Sequence, residues 1–318
     1  YDTFANAVHK NGFDWEANIL VVDEAHCRKT KTRKKEDAAP GLREAIKSST
    51  PMRILLTGTP VRNELAEFYH LLELAVPGWS GCDDLQTFER LYGDVCDDGE
   101  RCTQRLRVLI GRAALAMYRA CWEVDDECLS PKKEFVLYLE TDEVKPPTLR
   151  GESIKPFTIV NEKLRDVKLE ILSTILKALH PSTRVLVFSQ TIPILEAAQD
   201  QYKQDSLILT GKTSLDDRNA RVKQFQKGKA RIFFMALHAG GVGLNLQAAS
   251  VVIHLEPSWV PANTMQATAR AWRLEQTQTV RVYHLICENT IEKRVYEEFV
   301  VKKSKLARRL DGRNGSIE

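Results

Sequence analysis

Short apolar runs alternate with helix-like segments along the first part of the chain. Residues 19–22 and 53–56 are β-branched or leucine-rich runs that end in polar residues. Both are expected to be buried parallel strands with loops at their carboxyl ends. Residues 64–74 follow with apolar side chains on one helical stripe, and residues 135–139 are a further strand candidate. The pattern predicts an α/β unit in this part of the chain.

The same alternation returns after a linker. Residues 141–156 are rich in proline and charge, so we place the domain boundary between residues 145 and 146, giving domains 1–145 and 146–318. Further strands are predicted at residues 185–188, 206–209, 231–234, 251–254 and 280–283. Because helical pattern separates most of them, the second domain is expected to be a doubly wound parallel sheet.

Two adjacent carboxylates follow the first predicted strand. Hydrolysis of a nucleoside triphosphate needs a metal ion and a positioned water molecule. Asp23 would hold Mg²⁺ through its water shell, and Glu24 would orient and deprotonate the attacking water. An acidic helix N-cap after a strand accounts for the same pair, and the two residues alone leave both interpretations open.

A pair of arginines and a glycine-rich run stand out in the second half. Arg270 and Arg273 lie three residues apart, as on one helical face, and Gln266 extends that face by one turn. Two guanidinium groups there could stabilise a phosphoryl group during transfer, although an isolated pair is more often a surface pair. Gly241 and Gly243 would let backbone amides approach a phosphate, or would form a tight connection.

An enzyme that hydrolyses a nucleoside triphosphate needs a phosphate-binding loop, and the sequence shows none. Residues 211–213, Gly-Lys-Thr, resemble the end of G-x-x-x-x-G-K-[ST]. However, Ser206 occupies the position of the first glycine, and residues 207–209 are typical of a strand. No other Gly-Lys-Ser/Thr occurs. We therefore expect the catalytic lysine to be absent and the chain to begin partway through a domain.

Composition adds modest limits. Of the 318 residues, 43% are hydrophobic, which predicts a packed core, and the net charge of +3 is too small to indicate a nucleic-acid partner. Basic clusters at residues 28–35 and 302–313 are either solvated surface or phosphate contacts. The seven cysteines form no C-x-x-C pair, which favours free thiols over a metal site. Without an apolar span or a signal peptide, a soluble intracellular protein is expected.

Four motifs in fixed order carry a family resemblance. They are Asp-Glu-Ala-His at residues 23–26, Leu-Thr-Gly-Thr-Pro at 56–60, the glycine-rich run at 239–246 and the arginine-bearing segment at 266–273. Together they resemble the Snf family of chromatin-remodelling ATPases, within superfamily two of helicase-like motors, truncated before the Asp-Glu-Ala-His motif. The resemblance implies two RecA-like lobes with parallel sheets flanked by helices, the first lobe incomplete.

The resemblance also implies what such a chain does. Lobes of this type clamp ATP and Mg²⁺ and translocate along double-stranded DNA in the nucleus, with chromatin and remodelling-complex subunits as partners and no membrane. Asp23 and Glu24 take the metal and water roles, and Arg270 and Arg273 act as arginine fingers. The implied nucleotide contacts are Gly241, Gly243 and Gln266. The implied coupling or nucleic-acid-binding residues are His26, Thr57, Gly58, Thr59, Gln190, His238 and Asn245.

Departures from the family pattern keep two alternatives open. Where the family often has Asp-Arg-Ala-His-Arg-Ile-Gly-Gln, residues 269–276 are Ala-Arg-Ala-Trp-Arg-Leu-Glu-Gln, so both arginines stay and Trp272 replaces the histidine. A non-catalytic DNA-binding or scaffold module that has lost hydrolysis is one alternative. An RNA helicase of the Asp-Glu-Ala-His type is the other, although it would carry Ser-Ala-Thr at residues 57–59.

Overall fold

A computed structural model describes residues 18–23, 25, 52–57, 65–76, 78, 80–92, 108, 129–140, 162–237 and 244–297. The chain divides into two compact units. One is Tyr1–Cys121 together with Lys305–Glu318, and the other is Trp122–Ser304. The predicted boundary between residues 145 and 146 lies within the second of these units.

The described part of the first unit has two parallel strands and two helices. Strand β1 is Ile19–Val22 and strand β2 is Met52–Leu55, with Ile19 opposite Met52. Both strands were predicted, but their burial was not correctly predicted, because Ile19 and Val21 are each 55% exposed. Parallel strands are buried on both faces where neighbouring strands and helices cover them, and the described sheet has two strands.

Helices α1 (Leu65–Ala75) and α2 (Leu85–Tyr92) form a small core of their own. Its buried members are Phe68, Tyr69, Leu72, Cys82 and Phe88. After α1 the chain turns at Gly78, whose φ of 75° suits glycine and whose N–H donates to the Glu73 carboxylate at 3.1 Å. The Arg53 guanidinium donates to the carbonyl of Leu74 at 3.2 Å and so ties β2 to α1.

The second unit is a six-stranded parallel sheet with helices between most strands. Its elements are β3 (Lys132–Leu139), α3 (Glu162–Ala178), β4 (Val185–Ser189), α4 (Ile192–Gln201), β5 (Ser206–Leu209), α5 (Leu215–Gln226), β6 (Ile232–Ala236), β7 (Val251–His254), α6 (Pro261–Thr268), β8 (Val280–Cys287) and α7 (Ile291–Arg294). The strand order is β3-β8-β7-β4-β6-β5, and every neighbouring pair is parallel. The predicted strands and their parallel arrangement are confirmed.

The central strands are buried over their whole length. All residues of β4, β6 and β7 are buried, which agrees with continuous apolar runs rather than alternating ones. Polar groups fix the helices around this core. The Ser214 hydroxyl accepts the N–H of Asp217 at 3.2 Å and caps α5. The Arg231 guanidinium donates to the carbonyl of Leu176 at 2.8 Å near the end of α3.

The order of the strands reverses at β4. From β4 the chain passes to β5 and β6 on one side of the sheet, and then to β7 and β8 on the other side. The carboxyl ends of β4 and β7 therefore lie at a topological switch point, where open α/β sheets usually hold their ligands.

Strand β3 occupies an unexpected place. Its residues fall within the predicted first domain, 1–145, but it pairs with β8, with Phe135 opposite Tyr283, at one edge of the six-stranded sheet. In the part of the chain that the structure describes, no helix has the length and apolar character needed to cross a bilayer.

Candidate functional site

The carboxyl edge of the two-stranded sheet carries Asp23 and Thr57. Pairing continues past the ends of the strands, because the Leu56 N–H donates to the Val22 carbonyl at 2.8 Å and the Ala25 N–H donates to the Leu56 carbonyl at 2.9 Å. These bonds hold the exposed Asp23 and the partly buried Thr57 at one edge of the sheet. A carboxylate such as that of Asp23, at a strand end, is an oxygen ligand of the kind that hydrated Mg²⁺ accepts.

Four predicted residues of this edge, Glu24, His26, Gly58 and Thr59, lie outside the described residues.

Residues 269–276, which we call the arginine turn, follow the end of α6. The prediction that Arg270 and Arg273 share a helical face is wrong, because α6 ends at Thr268. The Ala269 N–H still bonds four residues back, to Met265, but the Arg270 N–H bonds three residues back, to Ala267 at 3.3 Å. Tightening of this kind is common where an α-helix ends. Further along, Glu275 has a φ of 73°, which a continuing helix excludes.

The two arginines repel each other in a partly buried setting. Burial, and secondarily the neighbouring charge of Arg273, lower the pKa of Arg270 to about 10. Arg270 therefore remains protonated at neutral pH, but its charged form is less favourable than in water. An anion placed against both guanidinium groups would offset that cost. The Arg273 guanidinium also donates to the carbonyl of Leu244 at 3.4 Å.

A ladder of hydrogen bonds joins the arginine turn to residues 244–249. The Leu246 N–H donates to the Arg270 carbonyl at 3.0 Å. The buried amide of Gln276 donates to the carbonyls of Gln247 and Ala249, each at 2.9 Å, and to Ala271 at 3.1 Å. The continuation of the predicted glycine-rich loop is thus fixed to the arginine turn. His238, Gly241 and Gly243 themselves lie outside the described residues.

Three other predicted residues lie near these segments. Gln266 is partly buried on α6. The Gln190 amide donates to the carbonyl of Pro257 at 2.7 Å and so joins the loop after β4 to the loop after β7. Asn245 is exposed, and its Oδ1 accepts the N–H of Gln247 at 3.3 Å. Their assignment to nucleotide or nucleic acid stays a prediction.

Three ionisable side chains and a thiol are also buried near the carboxyl ends of β4, β7 and β8, and we call Lys168, Glu256, Glu292 and Cys287 the buried charge cluster. The Lys168 side chain is fully buried, and its Nζ lies 2.8 Å from Glu292 Oε2 and also donates to the carbonyl of Leu255. Burial disfavours the Lys168 ammonium, but the attraction of Glu292, Cys287 and Glu256 outweighs burial and raises its pKa.

Glu256 bridges the switch point. It accepts the Ser189 hydroxyl at 2.8 Å and the Gln190 N–H at 3.2 Å, both from the end of β4. Burial raises the pKa of Glu256, and the Lys168 ammonium opposes that rise. At this switch point, where such sheets usually bind ligands, hydrogen bonds between Glu256 and the end of β4 join the two strands.

The sequence contained signals for residues that we did not predict. Lys168 falls between Leu164 and Leu172 at four-residue spacing, on the buried stripe of α3, where a lysine is out of place unless paired. Trp272 stands where the family often has histidine, and its indole N–H donates to the carbonyl of Ser130 at 2.7 Å. Gln276 matches the glutamine that ends the family pattern, whereas Glu256 gave no comparable signal, because its partners come from a distant segment.

Comparisons with known proteins agree with this architecture. Residues 5–181 match the family described as SNF2-related domain, and residues 167–275 match the helicase conserved C-terminal domain. The chain is 29% identical, over 91% of its length, to DNA repair and recombination protein RAD54B of Gallus gallus. It is 30% identical, also over 91%, to chromodomain-helicase-DNA-binding protein 1-like of Danio rerio.

These matches cover 40% and 31% of the two relatives, so the chain spans less than half of either protein. This chain is also 31% identical to the chain in a solved structure, "Crystal structure of the C-terminal part of Fun30 ATPase domain". That match covers 44% of this chain and 47% of the other, with a TM-score of 0.40. Because the SNF2-related domain family matches residues 5–181, more than half of the chain, the chain belongs to the Snf2 family of helicase-like ATPases.

Proposed function

We propose that the chain belongs to an ATP-dependent translocase that moves along double-stranded DNA and remodels chromatin. The observation that carries this proposal is the arginine turn. Arg270 and Arg273 repel each other while partly buried, and the Arg270 carbonyl and the Arg273 guanidinium are both hydrogen-bonded to the continuation of the glycine-rich segment. A phosphate group placed between two such cations would be held more strongly than in water.

The residues have distinct roles in this proposal. Asp23, exposed at the strand end, would hold hydrated Mg²⁺, and Glu24 would take the proton of the attacking water. Bound Mg²⁺ would neutralise charge on the phosphates of ATP. Arg270 and Arg273 would stabilise the charge that develops on the transferred phosphoryl group, and Gln266, Gly241 and Gly243 would contact the nucleotide.

The proposal that DNA is the partner is supported by the family and by the names of two relatives. One relative is named as a DNA repair and recombination protein and another as a chromodomain-helicase-DNA-binding protein, and both names point to DNA as the partner. We assign DNA contact or coupling to Thr57, Gln190 and Asn245 among the described residues, and to His26, Gly58, Thr59 and His238. A nuclear location and remodelling-complex subunits as partners follow from the same assignment.

Linked binding of DNA and nucleotide tests the proposal. We would measure anisotropy of a labelled DNA duplex with the full chain over a range of salt concentrations, with and without millimolar Mg·ATP. Affinity should fall linearly with salt on logarithmic axes, because phosphate contacts release counterions. Mg·ATP should change the affinity, and Arg270→Gln should remove that change while leaving nucleotide-free DNA binding intact. Lys203→Gln, at an exposed surface pair, is the matched control.

The outcomes separate the competing functions. DNA binding that ignores Mg·ATP would favour a non-catalytic DNA-binding or scaffold module. Binding that is absent, or insensitive to salt, would count against both. In an ATP hydrolysis assay we expect little DNA-stimulated turnover, because residues 1–318 include no phosphate-loop lysine. Robust turnover that Glu24→Gln abolishes would overturn that expectation.

A further inference from the structure

Trp272 lies between the two arginines and reaches across to the edge strand of the sheet. Its indole N–H donates to the carbonyl of Ser130 at 2.7 Å, although the two residues are 142 positions apart in the chain. The Lys132 ammonium lies 4.6 Å from the centre of the Trp272 ring, within the range of a cation–π interaction. One side chain of the arginine turn is therefore held by two independent contacts at the start of β3.

The residue just before the turn is held as well. Thr268, the last residue of α6, contacts Nε2 of the buried His254 through its hydroxyl at 3.0 Å. The carbonyl of Thr268 accepts the N–H groups of Ala271 and Trp272, each at 3.0 Å. The backbone that carries Arg270 is thus attached to β7 on one side and to β3 on the other.

The two attachments are joined through the sheet. The Lys132 ammonium that covers Trp272 lies 2.6 Å from Glu134, and the other oxygen of Glu134 lies 3.7 Å from His284 Nε2. The His284 ring stacks on the His254 ring, with 5.1 Å between centres and 9° between planes. From Trp272 the contacts thus pass through Lys132, Glu134, His284 and His254 to Thr268, the residue just before the arginine turn.

The indole ring explains why tryptophan can replace histidine as the hydrogen-bond donor at residue 272. Indole Nε1 and imidazole Nε2 occupy the same position in their five-membered rings, two bonds from Cγ. A histidine with a proton on Nε2 could therefore donate to the same carbonyl, whereas phenylalanine has no donor. The indole adds a larger π surface for the Lys132 ammonium than imidazole offers. The exchange of histidine for tryptophan at this position keeps the donor and strengthens the cation contact.

We propose that Trp272 is a positioning residue that holds the arginine turn against the start of β3 and so sets the placement of Arg270 and Arg273. The inference rests on the proposed function only in the role it gives to the two arginines. Trp272 itself acts through the backbone of the turn and does not touch the phosphate.

Hydrogen exchange in the full chain tests the positioning directly. The reporters are backbone N–H groups bonded within or to the turn, namely those of Leu246, Ala271 and Gln276, with the core amide of Leu237 as reference. Trp272→Phe should speed exchange at the turn by about threefold to tenfold, the range expected for one lost hydrogen bond. Trp272→His should restore exchange to near the original rate. Trp259→Phe makes the same chemical change at a tryptophan outside the turn and should leave the exchange rates of these N–H groups unchanged.

Pyrophosphate binding, measured by calorimetry with the same variants, connects the turn to the arginines. Trp272→Phe should weaken binding by a factor similar to the increase in exchange, and Arg270→Gln should weaken it further. Exchange at the turn that is unchanged in Trp272→Phe, or that rises equally at Leu237, would overturn the positioning role. If exchange behaves as expected but the unmodified chain binds no pyrophosphate, the role of the arginines in the proposed function would be overturned and the positioning role supported.

Discussion

Replacing Lys168 with methionine would remove one charge from the buried charge cluster while nearly preserving side-chain length. The Lys168 ammonium has no exposed surface and bonds to Glu292 Oε2 at 2.8 Å and to the carbonyl of Leu255. In the variant, the N–H of Cys287, at 3.0 Å, would remain as a donor to the same Glu292 oxygen. The buried carboxylates would then lack their counterion.

The expected cost follows from that imbalance. Removing one partner of a buried ion pair typically destabilises a protein by about 3–5 kcal/mol, because the other charge stays buried without compensation. For a unit of this size, that loss corresponds to a fall in the melting temperature of roughly 10 °C. Adding Glu292→Gln should recover much of the loss, since an amide oxygen can still accept from Cys287 and carries no charge.

Urea unfolding monitored by circular dichroism would measure these changes at neutral pH. The matched control is Lys203→Met, because Lys203 pairs with Asp200 at 2.9 Å while both side chains are mostly exposed. An exposed pair contributes less than about 1 kcal/mol. The reasoning would be refuted if Lys168→Met cost no more than the control. Additive effects of Lys168→Met and Glu292→Gln would also refute it, because interacting residues should show a coupling energy of about 0.5–3 kcal/mol.

Three further predictions follow from the second unit. Burial raises the pKa of Cys287 to about 12 from a reference value of 9.0, so the free energy of unfolding should fall as pH rises from about 9 to about 12, and Cys287→Ala should flatten that fall in urea titrations. The contact with His284 lowers the pKa of Glu134 to about 2 from 4.5, so Glu134 stabilises above about pH 4.5 and loses that effect as pH falls towards 2. Glu134→Gln should therefore lower the melting temperature at pH 7, but only slightly, because solvent screens the half-exposed Glu134 side chain. Near pH 2, where the Glu134 carboxylate becomes protonated, the variant should hardly change the melting temperature. Gln276→Leu should destabilise the unit by about 1–3 kcal/mol, because three carbonyls lose a buried donor, and equal stability of the variant in urea would contradict this.

Two of the candidate functional residues could be located from the sequence because they follow strands. Asp23 and Thr57 were placed at strand ends by the apolar runs before them, and the structure has strands there. The arginines were found by their spacing, but that spacing predicted a helical face. The observed turn depends on where the hydrogen bonds of α6 tighten, which residue spacing does not reveal. The contact of Arg273 with Leu244 and that of Trp272 with Ser130 were not predictable either, because each joins residues that are far apart in the chain.

The sequence by itself determined the strands of the second unit, their parallel arrangement and the family of the chain. Such features depend on local apolar runs and on short motifs, each of which involves residues close together in the chain. The tertiary structure alone decided that β3 pairs with β8, that Lys168 meets Glu292 across 124 positions and that Trp272 bonds to Ser130. Apolar periodicity shows which face of an element is buried but not which distant element covers it, so the partners of buried polar groups emerge only when the chain is folded.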